Sequence, residues 1–378
     1  MKILLLGNYL HDEQESMQRF SGLMAQGLAN AGHEVRTTRP RDVVGRLHPS
    51  GRGFGKWLGY VDKFAIFPSD LKSEIRWADV VHICDHSNSY YTQHLNSIPH
   101  VVSCHDLLGV RSARGEISQN QTRWTGRKLQ AMIVKGLMNA QHVACVSEAT
   151  RKDLLRVTAL QELRVSRVYN SLNYPYSRME KQEAATRLRT QSVDPERPYF
   201  LHVGGNQWYK NRSGVLRIFD AFRKQNPGSQ FRLVMVGKPW TDEMRTYVSQ
   251  NELRDSVLQL TGIDEEDLRA LYSLASLLLF PSLDEGFGWP ILEAQACGCP
   301  VLTTNRAPMN EVGGNAAVYV EPENYDLVAA AVQQVLQRVP ELRESGLQNV
   351  ERFSLKSMID GYTSLYETVR QEARRRFN

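Results

Sequence analysis

Long apolar runs are missing from this sequence of 378 residues. No stretch reaches the roughly 18 apolar residues that a membrane-spanning helix needs, which excludes such a helix. The first residues, MKILLLGNYL, contain an apolar run of only about five residues, which is shorter than the roughly 7 to 15 of a secretory signal. We therefore interpret this run as a buried first strand.

Cysteine is scarce, and its spacing gives no metal or disulfide framework. The five cysteines are Cys84, Cys104, Cys145, Cys297 and Cys299. They form no CxxC pair, and four of them lie in or beside apolar strand-like runs, where a reduced cysteine acts as a small hydrophobic residue. An odd number of cysteines without a disulfide pattern indicates a cytoplasmic protein.

Strong charge of either sign is also absent, because the net charge is only +5. An apolar fraction of 42% and a charged fraction of 23% are ordinary for a globular protein and exclude disordered and fibrous classes. Positive charge concentrates from Arg36 to Lys63, where aromatic residues alternate with many cations and two acids. Two interpretations of the region 36–68 stay open. It is either a solvated loop or a surface that meets anionic lipid or a charged acceptor.

The chain is too long for one hydrophobic core, so we expect two domains. In its first half, apolar runs alternate with amphipathic helical patterns, as in parallel sheets. The predicted strands are Lys2 to Gly7, Asp79 to Cys84, His100 to Cys104, His142 to Val146 and Arg164 to Tyr169. The predicted helices are Ser16 to Ala31, Arg123 to Asn139 and Glu148 to Val157, with Ser147 as the N-cap of the last.

A second block repeats this alternation after a polar segment, Ser171 to Pro198, that we interpret as a linker containing a short helix. The predicted strands are Tyr199 to Gly205, Phe231 to Gly237, Ser256 to Gly262, Leu277 to Ser282, Pro300 to Thr304 and Ala316 to Val320. The predicted helices are Ser213 to Lys224, Asp242 to Gln250, Glu265 to Ala275, Pro290 to Ala296 and Asp326 to Val339.

The predicted fold class is therefore α/β, with two doubly wound parallel-sheet domains. We place them at 1–180 and 190–354, with a C-terminal helix at about 355–378 that packs back onto the first domain. In such sheets ligands bind outside the carboxyl ends of the strands. The residues just after each strand are where chemistry is expected.

The first candidate site is DEGFGWPILEAQ, after a second-block strand. Glycines at a strand-to-helix junction let backbone N–H groups approach a ligand, and the helix N-terminus favours phosphate. Glu285 in this loop should repel phosphate, so a sugar hydroxyl is a better partner for it. Glu293, on the second turn of the helix, is within reach of another hydroxylated group such as a ribose. The alternative is a capped helix with two surface acids.

Two further sequence motifs follow predicted strands. In HVGGNQWYKNRSG, Lys210 and Arg212 lie near a helix start, where cations oppose the helix dipole. Fixed cations there would stabilise the charge that develops on a departing nucleoside diphosphate. In SCHDLLG, His105 and Asp106 end a first-block strand, where His105 would bind a donor hydroxyl or lie beside the reacting carbon. Solvated cations and a structural histidine are the simpler alternatives.

With these features in order, the chain resembles the retaining GT-B glycosyltransferases of family 4. The similarity covers nearly the whole chain and is densest in LTGIDEEDLRALYSLASLLLFPSLDEGFGWPILEAQACGCPVLTTNRAPMNEVGGNAAVYVEP, which runs from Leu260 to Pro322. The stretches VSCHDL, VACVSEATRKDLL and VYNSLN resemble the N-terminal-domain motifs of this family. The resemblance implies two Rossmann-like domains that face a central cleft.

The resemblance also implies roles for the matching residues. Glu285 would hold hydroxyls of the donor sugar, and Glu293 would bind the ribose. Lys210 would bind phosphate, and His105 would lie near the transferred sugar. The remaining implied donor contacts are Gly7 and Asn8 near the diphosphate, the backbone amides of Phe287, Gly288 and Trp289, and Gly262 and Ile263 at the base.

The chain departs from the family pattern at two loops. Family members often place an Arg shortly before the phosphate-binding Lys, and here Gly205 and Asn206 stand in its place. Either Arg212 or the Asn206 amide would then complete the phosphate clamp. The loop GNYLHDEQESMQ lacks the paired glycines of many members, and Gln14 to Ser16 would take over their role.

The resemblance implies that a hexose such as mannose or glucose moves, with retention, from a GDP- or UDP-sugar to a hydroxyl of a glycan or lipid-linked acceptor. Such a reaction would serve polysaccharide or glycolipid synthesis in the cytoplasm or at the inner membrane face. Without a DxD motif we expect no metal, and we expect no cofactor and no nucleic-acid partner. The loops between Arg36 and Pro68 would contact the acceptor.

Three other functions are compatible with parts of this sequence. A non-hydrolysing nucleotide-sugar epimerase has a similar fold, but it would need acid and base groups on both faces of one sugar. A nicotinamide-dependent oxidoreductase predicts GxGxxG after the first strand, which neither GNYLHD nor GGNQWY supplies. A non-catalytic carbohydrate-binding relative stays open, because fold alone does not determine function.

Overall fold

The computed structural model of the chain describes residues 1–12, 14–47 and 54–377, and of residues 54–56, 376 and 377 it describes the backbone only. Residues 48–53, within the basic region 36–68 predicted as a lipid or acceptor contact, lie outside the described residues. The structure divides into two compact units. Unit 1 comprises Met1–Asn173 and the C-terminal segment from Leu355, and unit 2 comprises Tyr174–Ser354. The division falls at residue 173, whereas the sequence suggested 180 to 190.

Unit 1 contains one parallel six-stranded sheet, in the order β2-β1-β3-β4-β5-β6. Its strands are β1 (Lys2–Leu6), β2 (Glu34–Thr38), β3 (Val80–Ile83), β4 (His100–Cys104), β5 (His142–Cys145) and β6 (Val165–Arg167). Its helices are α1 (Glu15–Asn30), α2 (Phe54–Val61), α3 (Phe67–Glu74), α4 (Leu108–Ala113), α5 (Trp124–Asn139), α6 (Glu148–Val157) and α15 (Leu355–Phe377). A π-helical turn, Asp62–Ile66, joins α2 to α3, and a 3-10 segment, His86–His94, follows β3.

Unit 2 contains a second parallel six-stranded sheet, in the order β12-β11-β10-β7-β8-β9. Its strands are β7 (Tyr199–Val203), β8 (Arg232–Val236), β9 (Val257–Leu260), β10 (Leu277–Phe280), β11 (Val301–Thr304) and β12 (Val318–Val320). Its helices are α7 (Lys181–Thr190), α8 (Arg212–Gln225), α9 (Asp242–Gln250), α10 (Glu265–Leu274), α11 (Trp289–Ala296), α12 (Met309–Gly313), α13 (Tyr325–Gln337) and α14 (Val339–Val350).

The two doubly wound parallel sheets predicted from the sequence are confirmed. Strands β3, β4, β5 and β10 are buried along their whole length, as expected of parallel strands that helices cover on both faces. The predicted N-cap of α6 is also present, because the Ser147 side chain accepts a hydrogen bond from the backbone N–H of Thr150 at 3.0 Å. Among the described residues, no helix combines the length and the apolar character that crossing a membrane requires.

The C-terminal helix α15 packs in the core of unit 1. Its side chains Met358, Tyr362 and Tyr366 lie in one buried cluster with residues of β1 and α1. A polar network accompanies this packing. The buried His82 ring bonds to Tyr366 Oη at 2.7 Å through Nδ1 and to Ser103 Oγ at 2.8 Å through Nε2, and Tyr362 Oη lies 2.6 Å from Ser103 Oγ.

Helix α5 packs closely on the 3-10 segment after β3. Ser89 Oγ donates a hydrogen bond to the Ile133 carbonyl at 2.7 Å, and Thr92 Oγ1 donates one to the Gly136 carbonyl at 3.0 Å. A Cβ atom built on Gly136 would lie 2.3 Å from the backbone of Ser89, so only glycine fits at this crossing.

Candidate functional site

Two loops at the carboxyl edge of the unit 2 sheet are joined directly. Asn211, which precedes α8, has a left-handed backbone with φ of 52° and donates a side-chain hydrogen bond to the Pro281 carbonyl at 3.0 Å. The N–H of Leu283 donates to the Tyr209 carbonyl at 2.7 Å. The loops after β7 and β10 therefore hold one another in place, although they are far apart in sequence.

This junction brings together two of the residues predicted to be catalytic. Lys210 Nζ lies 2.7 Å from Glu285 Oε1, and the two side chains are only 15% and 8% exposed. Burial raises the pKa of Glu285, and the nearby Lys210 only partly offsets that effect. The result is a shielded acid and cation at the sheet edge where ligands of doubly wound folds bind.

The start of α11 next to this pair has the local geometry predicted for an anion site. Gly288, at the N-cap, has φ of 100°, which a side chain would disfavour, and Pro290 lies in the first turn. Phe287 is buried, with its ring 5.7 Å from that of Phe353 and 6.0 Å from that of Trp289. The aromatic packing fixes the loop that carries the backbone amides.

Glu293 lies on α11, and only 6% of it is exposed. Tyr272 Oη on α10 donates a hydrogen bond to Glu293 Oε2 at 2.9 Å. This tyrosine was not predicted as part of the site, and no strand-end motif marks it, because it lies in the last turn of the amphipathic helix α10. Its bond holds the predicted ribose carboxylate in one orientation.

Arg212 and Asn206, the two alternatives for the missing loop arginine, contact each other. Arg212 Nη1 donates to Asn206 Oδ1 and, at 2.7 Å, to the Lys238 carbonyl, while the Asn206 amide nitrogen donates to the Pro239 carbonyl at 2.7 Å. Arg212 is 4% exposed, and its Nε and Nη2 atoms have no hydrogen-bond partner among the described residues. Burial lowers the pKa of this guanidinium. Arg212 thus keeps donor capacity, whereas both polar atoms of the Asn206 side chain are already bonded, one of them to the loop after β8.

The remaining predicted donor contacts in unit 2 lie at the same sheet edge. Gly205 follows β7, and a Cβ atom there would lie 2.4 Å from the Gln207 side chain. Gly262 and Ile263 follow β9, and Gly262 has a positive φ of 68°. These three residues lie after strands, as predicted, but their positions alone do not define a contact with the donor.

In unit 1, Asn8 after β1 bonds to a buried acid that was not predicted. Asn8 Nδ2 donates to Asp85 Oδ2 at 2.5 Å and also to the Gln14 side chain, and Gly7 precedes it. Asp85 lies 3.1 Å from His86 Nδ1. Burial would raise the pKa of Asp85, but the hydrogen bonds and charge of His86 and the bond from Ser87 hold it well below its usual range. Asp85 follows the strand DVVHIC, so a search of strand ends could have found it.

His105 follows β4 and is 6% exposed. Its Nε2 lies 2.8 Å from the Cys84 carbonyl oxygen, which can only accept, so this nitrogen carries the proton and Nδ1 carries the lone pair. Burial lowers the pKa of His105, which favours the neutral ring. Phe20 packs edge-on against it at 4.6 Å. The ring is therefore held as a neutral hydrogen-bonding group.

Two family models together match most of the chain. The model described as Glycosyl transferases group 1 matches residues 186–351, and the model described as Glycosyltransferase Family 4 matches residues 17–174. The chain is 26% identical over 56% of its length to O-antigen chain mannosyltransferase B of Escherichia coli, and 28% identical over 61% to O-antigen chain mannosyltransferase RfbU of Salmonella typhimurium. These matches span 55% and 60% of the two relatives.

Solved structures with similar folds cover nearly the full chain. A sucrose-phosphate synthase from Thermosynechococcus elongatus has a TM-score of 0.74 at 20% identity and covers 98% of this chain and 99% of its own. Anabaena HepE, solved in complex with UDP and glucose, has a TM-score of 0.75 at 14% identity and covers 97% and 100%. At these identities the likeness shows the fold alone, which is the predicted pair of Rossmann-like domains of the GT-B type.

Proposed function

The chain belongs to the glycosyl transferases of group 1, and from this membership we propose that it transfers a hexose, with retention of configuration, from a nucleoside-diphosphate sugar to a hydroxyl group. The observation that carries the proposal is the buried pair of Lys210 and Glu285, 2.7 Å apart at the sheet edge beside the start of α11. Neither a purely structural helix start nor a surface ion pair accounts for an acid and a lysine shielded together there.

Each group of the pair has a distinct task in the proposed reaction. Lys210 binds the diphosphate and stabilises the negative charge that grows on it as the bond to the anomeric carbon breaks. Glu285 accepts hydrogen bonds from hydroxyls of the donor sugar. Because both side chains now contact each other, donor binding replaces their mutual bond with bonds to the phosphate and the sugar.

The acceptor hydroxyl oxygen forms a bond to the anomeric carbon on the face from which the diphosphate oxygen departs. The hydroxyl proton goes to the departing phosphate, so no carboxylate nucleophile is required. Glu293 holds the ribose, and the amides of Phe287 to Trp289 contact the sugar and the diphosphate. His105, as a neutral ring, bonds to a hydroxyl of the transferred sugar.

Mannose is the donor sugar that we propose first. Its support is that the two O-antigen relatives are mannosyltransferases. The nucleotide is GDP or UDP, and the acceptor is a glycan or a lipid-linked glycan of a polysaccharide or glycolipid pathway. The described loops of region 36–68 are proposed to contact this acceptor. No metal ion or cofactor takes part in the proposal.

The proposal is tested by incubating the protein with GDP-mannose, UDP-glucose and a panel of glycosyl acceptors, followed by determination of the product anomer by NMR. We expect an α-linked product from an α-linked donor and a loss of at least about 100-fold in kcat for Lys210→Ala. Lys224→Ala, an exposed lysine at the other end of α8, is the matched control and should keep full activity.

Inversion at the anomeric carbon would refute the retaining mechanism, and full activity of Lys210→Ala would refute the role of the pair. Incubation of the protein with the donor alone provides a further check. Conversion to an epimeric nucleotide sugar without acceptor would identify an epimerase instead. A thermal-shift series with nucleoside diphosphates shows which base binds, because a ligand that binds only the folded state raises the melting temperature.

A further inference from the structure

Helix α5 lies in a stretch of sequence that has no acidic residue. From Ile117 to Ser147 the chain contains Arg123, Arg127, Lys128 and Lys135 but neither Asp nor Glu. Solvent-facing helices of soluble proteins usually mix both signs of charge. A face with cations only attracts an anionic partner and repels a second copy of itself.

The cations share one face of α5 with exposed apolar side chains. Trp124 is 67% exposed, and Met132 and Met138 are each 41% exposed. At about 100° per residue, these three and Arg127, Lys128 and Lys135 fall within an arc of about 140°. We call these six residues the α5 surface. The opposite face, which includes Ile133, Gly136 and Leu137, is buried in unit 1.

In the part of the chain that the structure describes, no carboxylate pairs with the cations of the α5 surface. Among the described residues, Arg127, Lys128 and Lys135 have no acidic partner within 4 Å. Lys128 Nζ instead lies 3.8 Å from the centre of the Trp124 ring, a cation–π contact. At the C-terminal end of the helix, Arg164 donates to the Met138 carbonyl at 3.0 Å, and the adjacent Leu163 is 90% exposed. Exposed apolar groups thus extend along the whole helix.

The basic region 36–68 differs in this respect. Arg41 pairs with Asp70 at 2.8 Å, and Lys63 pairs with Asp12 at 2.9 Å. Arg36 packs over the Trp77 ring at 4.1 Å. Arg41 and Lys63 are thus paired with carboxylates, so the part of this region that the structure describes has less free positive charge than its sequence suggests.

We propose that the α5 surface lies on a lipid bilayer that contains anionic headgroups. A tryptophan ring fits the headgroup level, lysine and arginine reach lipid phosphates while their alkyl chains stay in the apolar zone, and methionine side chains enter the acyl boundary. Nucleic acid, the other polyanion, would leave Met132, Met138 and Leu163 without an apolar partner. The proposal is independent of the reaction proposed above.

Sedimentation with vesicles tests the proposal on the intact chain. Vesicles of phosphatidylcholine with about 30% phosphatidylglycerol should bind the protein, and pure phosphatidylcholine vesicles should bind it much more weakly. Because each cation near an anionic bilayer strengthens partitioning by about fivefold, the triple variant Arg127→Gln, Lys128→Gln, Lys135→Gln should bind about 100-fold more weakly. A control triple with the same charge change, Arg189→Gln, Arg254→Gln, Lys356→Gln, alters exposed residues elsewhere and should bind like the wild type.

Two tryptophan variants test whether the α5 surface or the region 36–68 binds the vesicles. Trp124 and Trp57 are 67% and 62% exposed, so either can become alanine with little effect on folding. Trp124→Ala should weaken vesicle binding at least fivefold, whereas Trp57→Ala should not. The proposal would be overturned if Trp57→Ala weakened vesicle binding and Trp124→Ala did not. It would also be overturned if both triple variants lost vesicle binding equally, or if neutral vesicles bound the protein as well as anionic ones. A dimer in sedimentation equilibrium without lipid that Trp124→Ala dissociates would overturn it as well, because the face would then be a protein interface.

Discussion

Glu285 is held in a buried site that raises the pKa of its carboxyl group. Burial raises its pKa above the ordinary value even though Lys210 lies 2.7 Å away. A carboxyl group with a raised pKa takes up its proton at a higher pH than a free glutamate does. Since the proposed role of Glu285 requires the carboxylate, its protonation should limit the enzyme on the acid side.

The variant Glu285→Gln tests this limit. It keeps a hydrogen-bonding side chain of the same size but removes the charge, so we expect kcat to fall about 100-fold. In the wild type, kcat/KM should decline toward acid at a higher pH than an unperturbed glutamate would dictate, and this acid limb should be absent from the residual activity of the variant. Glu243→Gln, on the exposed start of α9, is the control. An identical acid limb in Glu285→Gln would assign the limb to another group.

Arg212 is a better candidate than Asn206 to replace the arginine that family members often carry shortly before the phosphate-binding lysine. Its Nε and Nη2 atoms are buried donors, while both polar atoms of the Asn206 side-chain amide are already bonded, to Arg212 and to the Pro239 carbonyl in the loop after β8. Arg212→Lys removes the planar fork but keeps the charge. We expect it to weaken binding of the cognate nucleoside diphosphate about tenfold by calorimetry, and Asn206→Ser to weaken it less. Unchanged affinity with a lower melting temperature in Arg212→Lys would mean that Arg212 only ties the two loops together.

The sequence predicts which residues lie at one sheet edge better than it predicts the contacts between them. Lys210 and Glu285 stand at strand ends, which a single sequence reveals, and both lie at the predicted sheet edge. Their mutual bond spans 75 positions and depends on the Asn211 and Leu283 contacts between two loops, which no local pattern encodes. Asp85 was overlooked although it follows a strand, because it has no motif of its own.

At the scale of elements, two of the differences from the sequence interpretation have a clear physical reason. Strand β2 (EVRTT) was not predicted, because it forms the edge of its sheet and has Val35 as its one apolar residue instead of an apolar run. The predicted linker, Ser171 to Pro198, contains α7, whose buried Ala184 and Leu188 pack in unit 2 and whose Arg187 pairs with Asp267 at 3.0 Å. The sequence predicted a short helix in this segment but not that the segment packs into unit 2, because its prolines and charged residues are typical of a linker.

Two glycines in helices of unit 1 make a matched test of element packing. A Cβ atom on Gly136 would lie 2.3 Å from the Ser89 backbone, whereas one on Gly22 in α1 would meet nothing within 4 Å. We expect Gly136→Ala to lower the free energy of unfolding by about 1–3 kcal/mol, because α5 must move away from the 3-10 segment. Gly22→Ala should raise it by about 0.5–1 kcal/mol through helix propensity. Urea titrations measure both, and equal effects would contradict the close crossing.

At the scale of the whole molecule, buried histidines make both units sensitive to acid. Burial lowers the pKa of His82 to about 3 and that of His142 to about 4 in unit 1, and that of His202 to about 3 in unit 2. Their unfolded pKa is about 6.5. Below that pH the unfolded chain binds protons that the folded chain does not, so stability is complete above pH 6.5 and falls with the pH.

We expect each of these histidines to remove up to about 1.4 kcal/mol of unfolding free energy per pH unit below 6.5. At His86 the effect of burial is outweighed by Asp85, which raises the pKa and offsets part of the loss. Urea unfolding at pH 7.5, 6.5 and 5.5 measures the slope. His82→Gln, which lacks one of the titrating groups, should be less stable at pH 7.5 but show a shallower decline. Parallel slopes for the variant and the wild type would show that His82 does not titrate in this range.

The return of α15 to the core of unit 1 has a consequence for the order of folding during synthesis. All residues of unit 2 are synthesised before Met358, Tyr362 and Tyr366. A growing chain that has reached residue 354 therefore contains every strand of the second sheet in its sequence, while His82 and Ser103 in the first sheet still lack their tyrosine partners. Unit 1, most of which is synthesised first, cannot complete its core until α15 has been made.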